Sequence, residues 1–215
     1  GVEVRNGQDN SILSNSITAS SGNGIFLDAA RGVTIVGNDI SGNGTSVSNK
    51  KVVGDGGTFN GNGIYANAAQ DVSVITNTIA GNGIKAIAPE SKEASTKVLA
   101  NGIYAVDTTN LAVTANDIAG NGIGAADSAQ LTVFSNGVFS DGSTPVQITG
   151  NTISANGGDG VEVKNADDNA IRSNAIFGNG GKGISLSNGN ADQPAPEVSS
   201  ALLSPNGTLV VSGTV

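Results

Sequence analysis

The amino-acid sequence predicts an all-β solenoid, in which short strands stack coil upon coil as a parallel β-helix. Two observations carry this prediction: a short motif that recurs along the chain, and apolar residues that alternate with polar ones inside each repeat. A third is the composition, because the 215 residues include 32 glycines but no Cys, Met, His or Trp. A core of one globular domain normally uses some of these side chains, so many thin aliphatic layers are expected instead.

The recurring motif is the tripeptide Asn-Gly-Ile together with looser copies. Residues at its third position are Val2, Ile25, Thr45, Ile64, Ile84, Ile103, Ile123, Val161 and Ile184. Successive positions are about 20 residues apart, a period typical of solenoids. The step from Ile123 to Val161 is the exception and is close to two repeats. The period predicts about nine to ten coils over residues 1–190.

A second motif, Asn-x-Ile or Asn-x-Val, sets the register of the strands. An apolar residue precedes each Asn by three positions, as Ile35 precedes Asn38. Apolar residues also lie two positions apart, as in Ile25 and Leu27, and period 2 is the strand period. Each coil therefore reads as three short strands joined by three turns. Stacking at about 4.8 Å would bury the inward aliphatic side chains of neighbouring coils against each other.

Asparagines at the coil corners are predicted to form two hydrogen-bonded ladders, in which each side-chain amide pairs with that of the next coil. Gly and Asn also suit corners because they adopt left-handed backbone conformations at least cost. The first predicted ladder contains Asn15, Asn38, Asn77, Asn116, Asn151 and Asn174. The second contains Asn43, Asn62, Asn82, Asn101, Asn121, Asn156 and Asn179. We favour this structural role over sugar or ice binding.

Two stretches, residues 45–61 and 85–100, depart from the repeat. They are either irregular coils or loops inserted into longer coils that project side by side from one face. Four lysines give this part of an acidic chain a basic edge: Lys50, Lys51, Lys92 and Lys97. Because loops on a rigid scaffold often carry function, an acidic polysaccharide or a neighbouring cell-surface protein is the expected partner. Solvated bulges are the alternative.

Tyr65 and Tyr104 occupy the same position in their coils, which Phe26 and Lys85 share. They point outward if Ile64 and Ile103 point inward. An outward pair of tyrosines could stack on sugar rings, or it could simply pack under a loop.

Charge and residue types exclude several function classes. The formal net charge of −8 argues against a nucleic-acid partner, which needs a basic face. No apolar run approaches the roughly 20 residues of a membrane span. Asp167 and Asp168 are the one adjacent pair of acids, and their sequence context favours a turn. We therefore predict no catalytic residues, no cofactor and no metal.

The motifs Asn-Gly-Ile, Asn-Asp-Ile and Asn-Thr-Ile resemble the right-handed parallel β-helix repeats of the pectate-lyase-like superfamily over residues 1–190. The resemblance implies a right-handed helix cut from a large bacterial secreted or cell-surface protein. Many relatives of this kind are polysaccharide lyases, hydrolases or epimerases. Coils as short as the motif spacing suggests are unusual for that superfamily. A left-handed helix stays open on length, although no strict six-residue period is present.

A non-catalytic structural or adhesive module, outside the cell or on its surface, is the function that the sequence favours. One alternative is a carbohydrate-binding or polysaccharide-modifying fragment. The motif Tyr-Gly-acid-Pro-His of the superfamily's epimerases cannot occur here, because the chain has no His. Another alternative is a fibre subunit that associates end to end through exposed strand edges.

The last part of the chain, residues 191–215, lacks the coil pattern and is rich in proline. Residues 207–215 read as a strand. We expect this segment to leave the solenoid as a cap or as the start of a β-sandwich domain.

Overall fold

The computed structural model describes residues 1–45, 58–83, 96–123, 131–193 and 197–214. Within these ranges the regular elements are strands, apart from a single 3-10 turn at Asn190–Asp192. No helix among them has the length and hydropathy to cross a bilayer. The chain winds through six complete parallel coils and the first strand of a seventh, as the alternating sequence pattern predicts.

The strands follow the chain coil by coil, with the predicted three strands in the first, fifth and sixth coils but four in the second, third and fourth. The first three coils contain β1 (Val2–Arg5), β2 (Ser11–Leu13), β3 (Ser16–Thr18), β4 (Ile25–Asp28), β5 (Arg31–Val36), β6 (Asp39–Ser41), β7 (Thr58–Asn60), β8 (Ile64–Asn67), β9 (Gln70–Ile75), β10 (Thr78–Ala80) and β11 (Thr96–Leu99). The others contain β12 (Ile103–Val106), β13 (Thr109–Thr114), β14 (Asp117–Ala119), β15 (Leu131–Phe134), β16 (Val138–Asp141), β17 (Val146–Thr149), β18 (Thr152–Ser154), β19 (Val161–Lys164), β20 (Ala170–Arg172), β21 (Ala175–Phe177) and β22 (Ile184–Ser187).

These strands form four parallel sheets along the stack. Sheet A runs β1-β4-β8-β12-β16-β19-β22, sheet B runs β2-β5-β9-β13-β17-β20, and sheet C runs β3-β6-β10-β14-β18-β21. Sheet D is shorter and runs β7-β11-β15. It exists only in the second, third and fourth coils, where it comes between sheet C and the next strand of sheet A.

Coil length explains why the prediction of nine to ten coils was wrong. Val2 pairs with Ile25, the next copy of the motif, whereas Ile25 pairs with Ile64 and skips the copy at Thr45. The Asn-Gly-Ile motif occurs at two corners of the long coils: one copy opens sheet A, and the other follows sheet C. The step from one copy to the next is therefore only half of a long coil.

Aliphatic columns fill the inside of the stack. In sheet C, for example, Ile40, Ile79, Ile118 and Ile153 lie in register and are completely buried. The inward positions predicted from period 2 are therefore confirmed for this sheet. Their stacking gives one continuous core from the first coil to the sixth.

The asparagines form three ladders rather than two. In the first, at the corner between sheets B and C, Nδ2 of Asn38 donates to Oδ1 of Asn77 at 2.9 Å, and the same bond recurs from Asn15 to Asn174. The residues of the predicted second ladder belong to two separate ladders at different corners. After sheet C the ladder is Asn43, Asn82, Asn121, Asn156 and Asn179. Before sheet A, Nδ2 of Asn62 donates to Asn23 and Nδ2 of Asn101 donates to Asn62, and the backbone N–H of Asn136 continues this column by donating to Oδ1 of Asn101.

At two of the corners the residue with left-handed backbone directly precedes the asparagine that forms the ladder. Gly37, Thr76 and Ala115 have φ of 64°, 52° and 55°, and each directly precedes a ladder asparagine. The ladder asparagines themselves are absent from the positive-φ residues of the described chain. The expectation that Asn supplies the left-handed corner was therefore wrong for the ladder asparagines. It holds at Asn6, Asn165 and Asn188, which directly follow strands of sheet A and have φ of 51°, 51° and 48°.

Beyond the stack the chain forms an antiparallel hairpin of β23 (Glu197–Leu203) and β24 (Leu209–Thr214). The sequence predicts the second of these strands but not the first. The division of the chain at residue 190 stays a prediction.

Candidate functional site

The outer face of sheet A carries a column of four aromatic rings. In register, Phe26, Tyr65, Tyr104 and Phe139 follow one another on β4, β8, β12 and β16. Their centroids are 5.1, 5.1 and 4.9 Å apart, and the last pair is stacked with an interplanar angle of 7°. Because each ring belongs to a separate coil, the column links four coils on the outside of the stack.

Burial changes along this aromatic column. Phe26 and Tyr65 are half-buried, whereas Tyr104 is 5% exposed and Phe139 is 1% exposed. Leu99 of sheet D packs on the buried half. Its neighbour on β15, Phe134, meets Phe139 edge-on at 5.3 Å. Of the two alternatives for Tyr104, stacking on a sugar and packing under an inserted segment, the structure shows the second, because the inserted sheet D covers the ring.

Burial also controls the ionisation of the two tyrosines. Loss of hydration raises the pKa of Tyr104 to about 12, and the neighbouring Tyr65 phenol and the negative charges of Asp141 and Glu162 act in the same direction. The pKa of Tyr65 is raised as well, first by burial and then by Asp28. Both phenols therefore stay protonated, as hydrogen-bond donors, throughout the neutral range.

Two lysines lie over the rings at the edge of sheet D. Nζ of Lys97 is 4.8 Å from the centroid of Phe134, and Nζ of Lys164 is 5.8 Å from that of Phe139. Lys164 also lies 3.5 Å from Glu162, which accepts a hydrogen bond from Asn136 at 2.9 Å. Lys97 forms no ion pair with a carboxylate of the described chain. Its contact among the described residues is with an aromatic ring, a favourable position for an ammonium group.

The remaining predicted lysines, Lys50, Lys51 and Lys92, lie outside the described residues, as does Lys85. Lys164 was missed by sequence reasoning because it belongs to a regular coil. Lys164 pairs in register with Asp141 of the preceding coil, at the edge of the aromatic column, and this alignment would have pointed to it.

The half-buried end of the aromatic column has a polar border. Arg5 lies over Phe26 at 5.3 Å, hydrogen-bonds to Glu3 and approaches Asp28 at 3.3 Å. Nδ2 of Asn67 donates to Asp28 at 2.9 Å. A ring flanked by a carboxylate and an amide is an arrangement suited to a hydroxyl-bearing ligand such as a sugar.

Asp167 and Asp168 take part in a turn, as predicted. Asp168 has a left-handed φ of 60°, and Oδ1 of Asp167 accepts the N–H of Ala191 at 2.7 Å. No group of three or more acidic side chains in the described ranges could hold a metal ion.

The family of the chain follows from its sequence match together with this coil geometry. The model of the right-handed β-helix region matches residues 1–191 and, in a second match, residues 133–207. The chain belongs to the right-handed β-helix family. No curated protein matches this β-helix in sequence.

Among solved structures, the A-module of the Azotobacter vinelandii mannuronan C-5 epimerase AlgE6 is similar to this β-helix. It is 15% identical with a TM-score of 0.35, and the match covers 88% of this chain. The β-helix spans 55% of that chain. At this distance the likeness concerns the fold alone.

Proposed function

We propose that this β-helix is a non-catalytic structural and adhesive module of an extracellular or cell-surface protein. The observation that supports this most is the position of the extra residues. The second, third and fourth coils all lengthen at the same corner, between sheets C and A, while the other corners keep their spacing. A stack held by ladders and a continuous aliphatic core is a rigid support, and segments inserted on such a support are where recognition usually lies.

The flank that carries sheet D is the proposed attachment surface, and its ligand is an acidic polysaccharide or another surface protein. Lys97 supplies a cation there that no carboxylate of the described chain pairs with. The sequence of the inserted segments also contains Lys50, Lys51 and Lys92, on a chain of net charge −8. Such a flank attracts carboxylate or sulfate groups over distances of about a Debye length.

The test is binding of the purified chain to alginate, heparin and neutral dextran immobilised on a sensor. We expect binding to the two acidic polymers, weakened several-fold when the four lysines are exchanged for Ser. Raising the ionic strength from about 0.01 to about 1 M, which shortens the Debye length from about 30 to about 3 Å, should weaken it too. Lys182→Ser is the matched control, since this exposed lysine lies after sheet C of the sixth coil.

Two outcomes contradict the proposal. If exchanging the four lysines leaves binding unchanged, or if no acidic polymer or surface protein binds, the inserted flank is not adhesive. If the bound polymers are cleaved or epimerised, as judged by new reducing ends, unsaturated uronates or changed NMR spectra, the non-catalytic part is wrong.

A second candidate is stacking of a neutral sugar on the half-buried rings of Phe26 and Tyr65. The hydrogen-bonded pair Asp28 and Asn67 beside these rings favours it. Tyr65→Ala should then weaken binding of neutral oligosaccharides several-fold, while Phe177→Ala, an exposed ring on sheet C, should not. Equal binding by both variants and the wild type would remove this candidate.

A further inference from the structure

The ladder asparagines are followed by glycine at two corners of the long coils. Asparagine is a thermolabile residue, and it is most labile before glycine, because a residue without Cβ leaves its peptide nitrogen accessible. The dipeptide Asn-Gly occurs 13 times in the sequence. Nine of these asparagines form the column after sheet C and the column before sheet A. The repeat that builds the stack therefore also places a labile dipeptide in its hydrogen-bonded corners.

Deamidation of such a pair begins when the peptide nitrogen of the glycine attacks Cγ of the asparagine before it. A bond forms between this nitrogen and Cγ, the nitrogen loses its proton, and the bond between Cγ and Nδ2 breaks, so that ammonia leaves. Water then opens the cyclic imide at one of its two carbonyls and gives aspartate or isoaspartate. The reaction therefore needs a side-chain amide that can turn back on its own backbone and a peptide N–H that base can reach.

The fold engages both reacting groups at Asn82. Its Nδ2 donates to the carbonyl of Ile40 at 3.0 Å and to Oδ1 of Asn121 at 2.9 Å, and the residue is completely buried. The N–H of Gly83 donates at 2.7 Å to the carbonyl of Asn43 in the preceding coil. Attack of the Gly83 nitrogen on Cγ of Asn82 would require these bonds to break.

The same arrangement recurs in both columns. At Asn62, which is also completely buried, Nδ2 donates to Asn23 and the N–H of Gly63 donates to the carbonyl of Asn101 at 3.0 Å. In each of the nine pairs the glycine N–H donates to a carbonyl of a neighbouring coil. Deamidation at these positions must therefore wait for the stack to open, and opening of a core element costs close to the free energy of global unfolding.

An aspartate formed at one of these positions does not fit the ladder. At residue 82 the new oxygen would face Oδ1 of Asn121 and the carbonyl of Ile40, and all three are hydrogen-bond acceptors. It would also bring a negative charge to a position that water does not reach. Isoaspartate fits less well still, because its Cβ enters the backbone and lengthens the chain between one strand and the next.

We infer that the Asn-Gly pairs of these two columns are deamidation sites that stay unreacted in the native stack and make unfolding of this β-helix irreversible with time. Unfolding exposes the pairs to base and water, and a chain in which one pair has reacted no longer stacks its coils. Chemical change of the unfolded state turns thermodynamic stability into kinetic stability. The sites that carry the inference lie in the middle of the stack, at Asn62, Asn82, Asn101 and Asn121.

The first test compares deamidation of the full chain at alkaline pH in native buffer and in more than about 5 M guanidinium chloride. Peptide mapping by mass spectrometry follows the amides of Asn62, Asn82, Asn101 and Asn121. We expect them to be lost about 100-fold or more slowly in native buffer, because each reaction there requires opening of the stack. Comparable rates in the two buffers would overturn the inference.

The second test is refolding by dilution after increasing times in alkaline guanidinium chloride. The fraction of chains that recover strand circular dichroism and a cooperative melt should fall in step with the loss of the amides. The same incubation at mildly acidic pH, where the peptide nitrogen is not deprotonated, should leave this fraction unchanged. Equal losses at both pH values would assign the loss to aggregation and overturn the inference, as would full recovery of deamidated chains.

A pair of variants places the reaction product directly in the chain. Asn82→Asp should lower the melting temperature or abolish folding. The matched control is Asn206→Asp, in the Asn-Gly pair of the C-terminal hairpin. There the exposed Asn206 accepts the N–H of Thr208 through Oδ1 at 3.1 Å, a role that aspartate keeps, so this variant should melt with the wild type. Equal melting of the wild type and both variants would contradict the claim that the product does not fit the ladder.

Discussion

The stack has short coils at its two ends and long coils in its middle. Both kinds contribute strands to the same three sheets, but they use different lengths of chain to do so. Along the first ladder, neighbouring asparagines are 23 positions apart in the end coils, from Asn15 to Asn38 and from Asn151 to Asn174. In the middle coils, between Asn38 and Asn151, the spacing is 39, 39 and 35 positions. Sheets A, B and C continue through all of them in unbroken register. The additional residues enter between two ladder asparagines and leave the core unchanged.

This comparison separates what the fold requires from what is added to it. The required part is three short strands, their inward aliphatic side chains and a left-handed residue before each asparagine of the two ladders that flank sheet C. The added part is the segment that ends in sheet D and covers half of the aromatic column. The fold therefore does not depend on the segment to which we assign recognition.

The largest effect is expected from a charge placed in a middle coil. Ile118→Asp buries a carboxylate among aliphatic neighbours, which should lower the free energy of unfolding by several kcal/mol. Ile176→Asp, in the same column but half-buried in the last strand of sheet C, should cost clearly less because water reaches it. Chemical denaturation of both variants measures the difference. Equal losses would contradict the difference in burial between the middle and the end of this column.

A smaller loss is expected from cutting a ladder. Asn116 donates from Nδ2 to Asn151 and to the carbonyl of Val74, and accepts from Asn77. Asn116→Ala leaves these buried groups unpaired, at a cost of about 1–3 kcal/mol for each unsatisfied group. Asn15→Ala, at the exposed start of the same ladder, should cost less than about 1 kcal/mol. The ladder assignment fails if the two variants unfold at the same denaturant concentration.

Alkaline pH should destabilise the covered half of the aromatic column. The pKa of Tyr104 in the folded chain is about 12, above the ordinary value of 10.0 that the unfolded chain is expected to have. Stability from this difference is present below pH 10 and is lost as the pH rises toward 12, because only the unfolded chain releases the proton in that interval. Melting curves between pH 8 and 12 should show this loss, and Tyr104→Phe should reduce it. A melting temperature of the wild type that is constant up to pH 12 would contradict the burial of Tyr104.

The smallest effect is expected at Lys97. Its contact with Phe134 is worth about 0.5–1 kcal/mol at most, so Lys97→Ser should hardly change thermal stability while it weakens polymer binding. A large loss of stability would mean that this lysine serves the fold instead of recognition.

The regular coils could be predicted from the sequence, because period 2 and the recurrence of Asn leave few alternatives. Ile79 and Ile118 point inward as expected, and the first asparagine ladder forms with the predicted residues. The coil count was wrong since Asn62-Gly63 and Asn82-Gly83 look alike but stand at different corners. Only strand pairing distinguishes them, and pairing between segments so far apart along the chain is a property of three-dimensional structure.

The candidate site was harder to predict than the coils. Tyr65 and Tyr104 were placed in one outward column, but the cover that sheet D gives to Tyr104 depends on contacts with Leu99 and Phe134 from the inserted segments. These segments have no repeat in the sequence, so their packing could not be inferred from periodicity. Phe139 was not recognised as the fourth ring because, as with the coil count, strand pairing is needed to align its coil with the others.

The most direct test of the account is removal of one inserted segment. Residues 44–61 lie between Asn43 and Asn62, where the fifth coil has only Gly157 and Gly158 between Asn156 and Asp159. Replacing 44–61 by Gly-Gly makes the second coil as short as the first and, of the strands in the described residues, removes only β7, the edge strand of sheet D. We predict that this variant keeps its strand circular dichroism and a cooperative melt, whereas an equally large deletion of residues 63–78 abolishes both. Unfolding of the first variant would contradict the claim that the long coils are short coils with an addition.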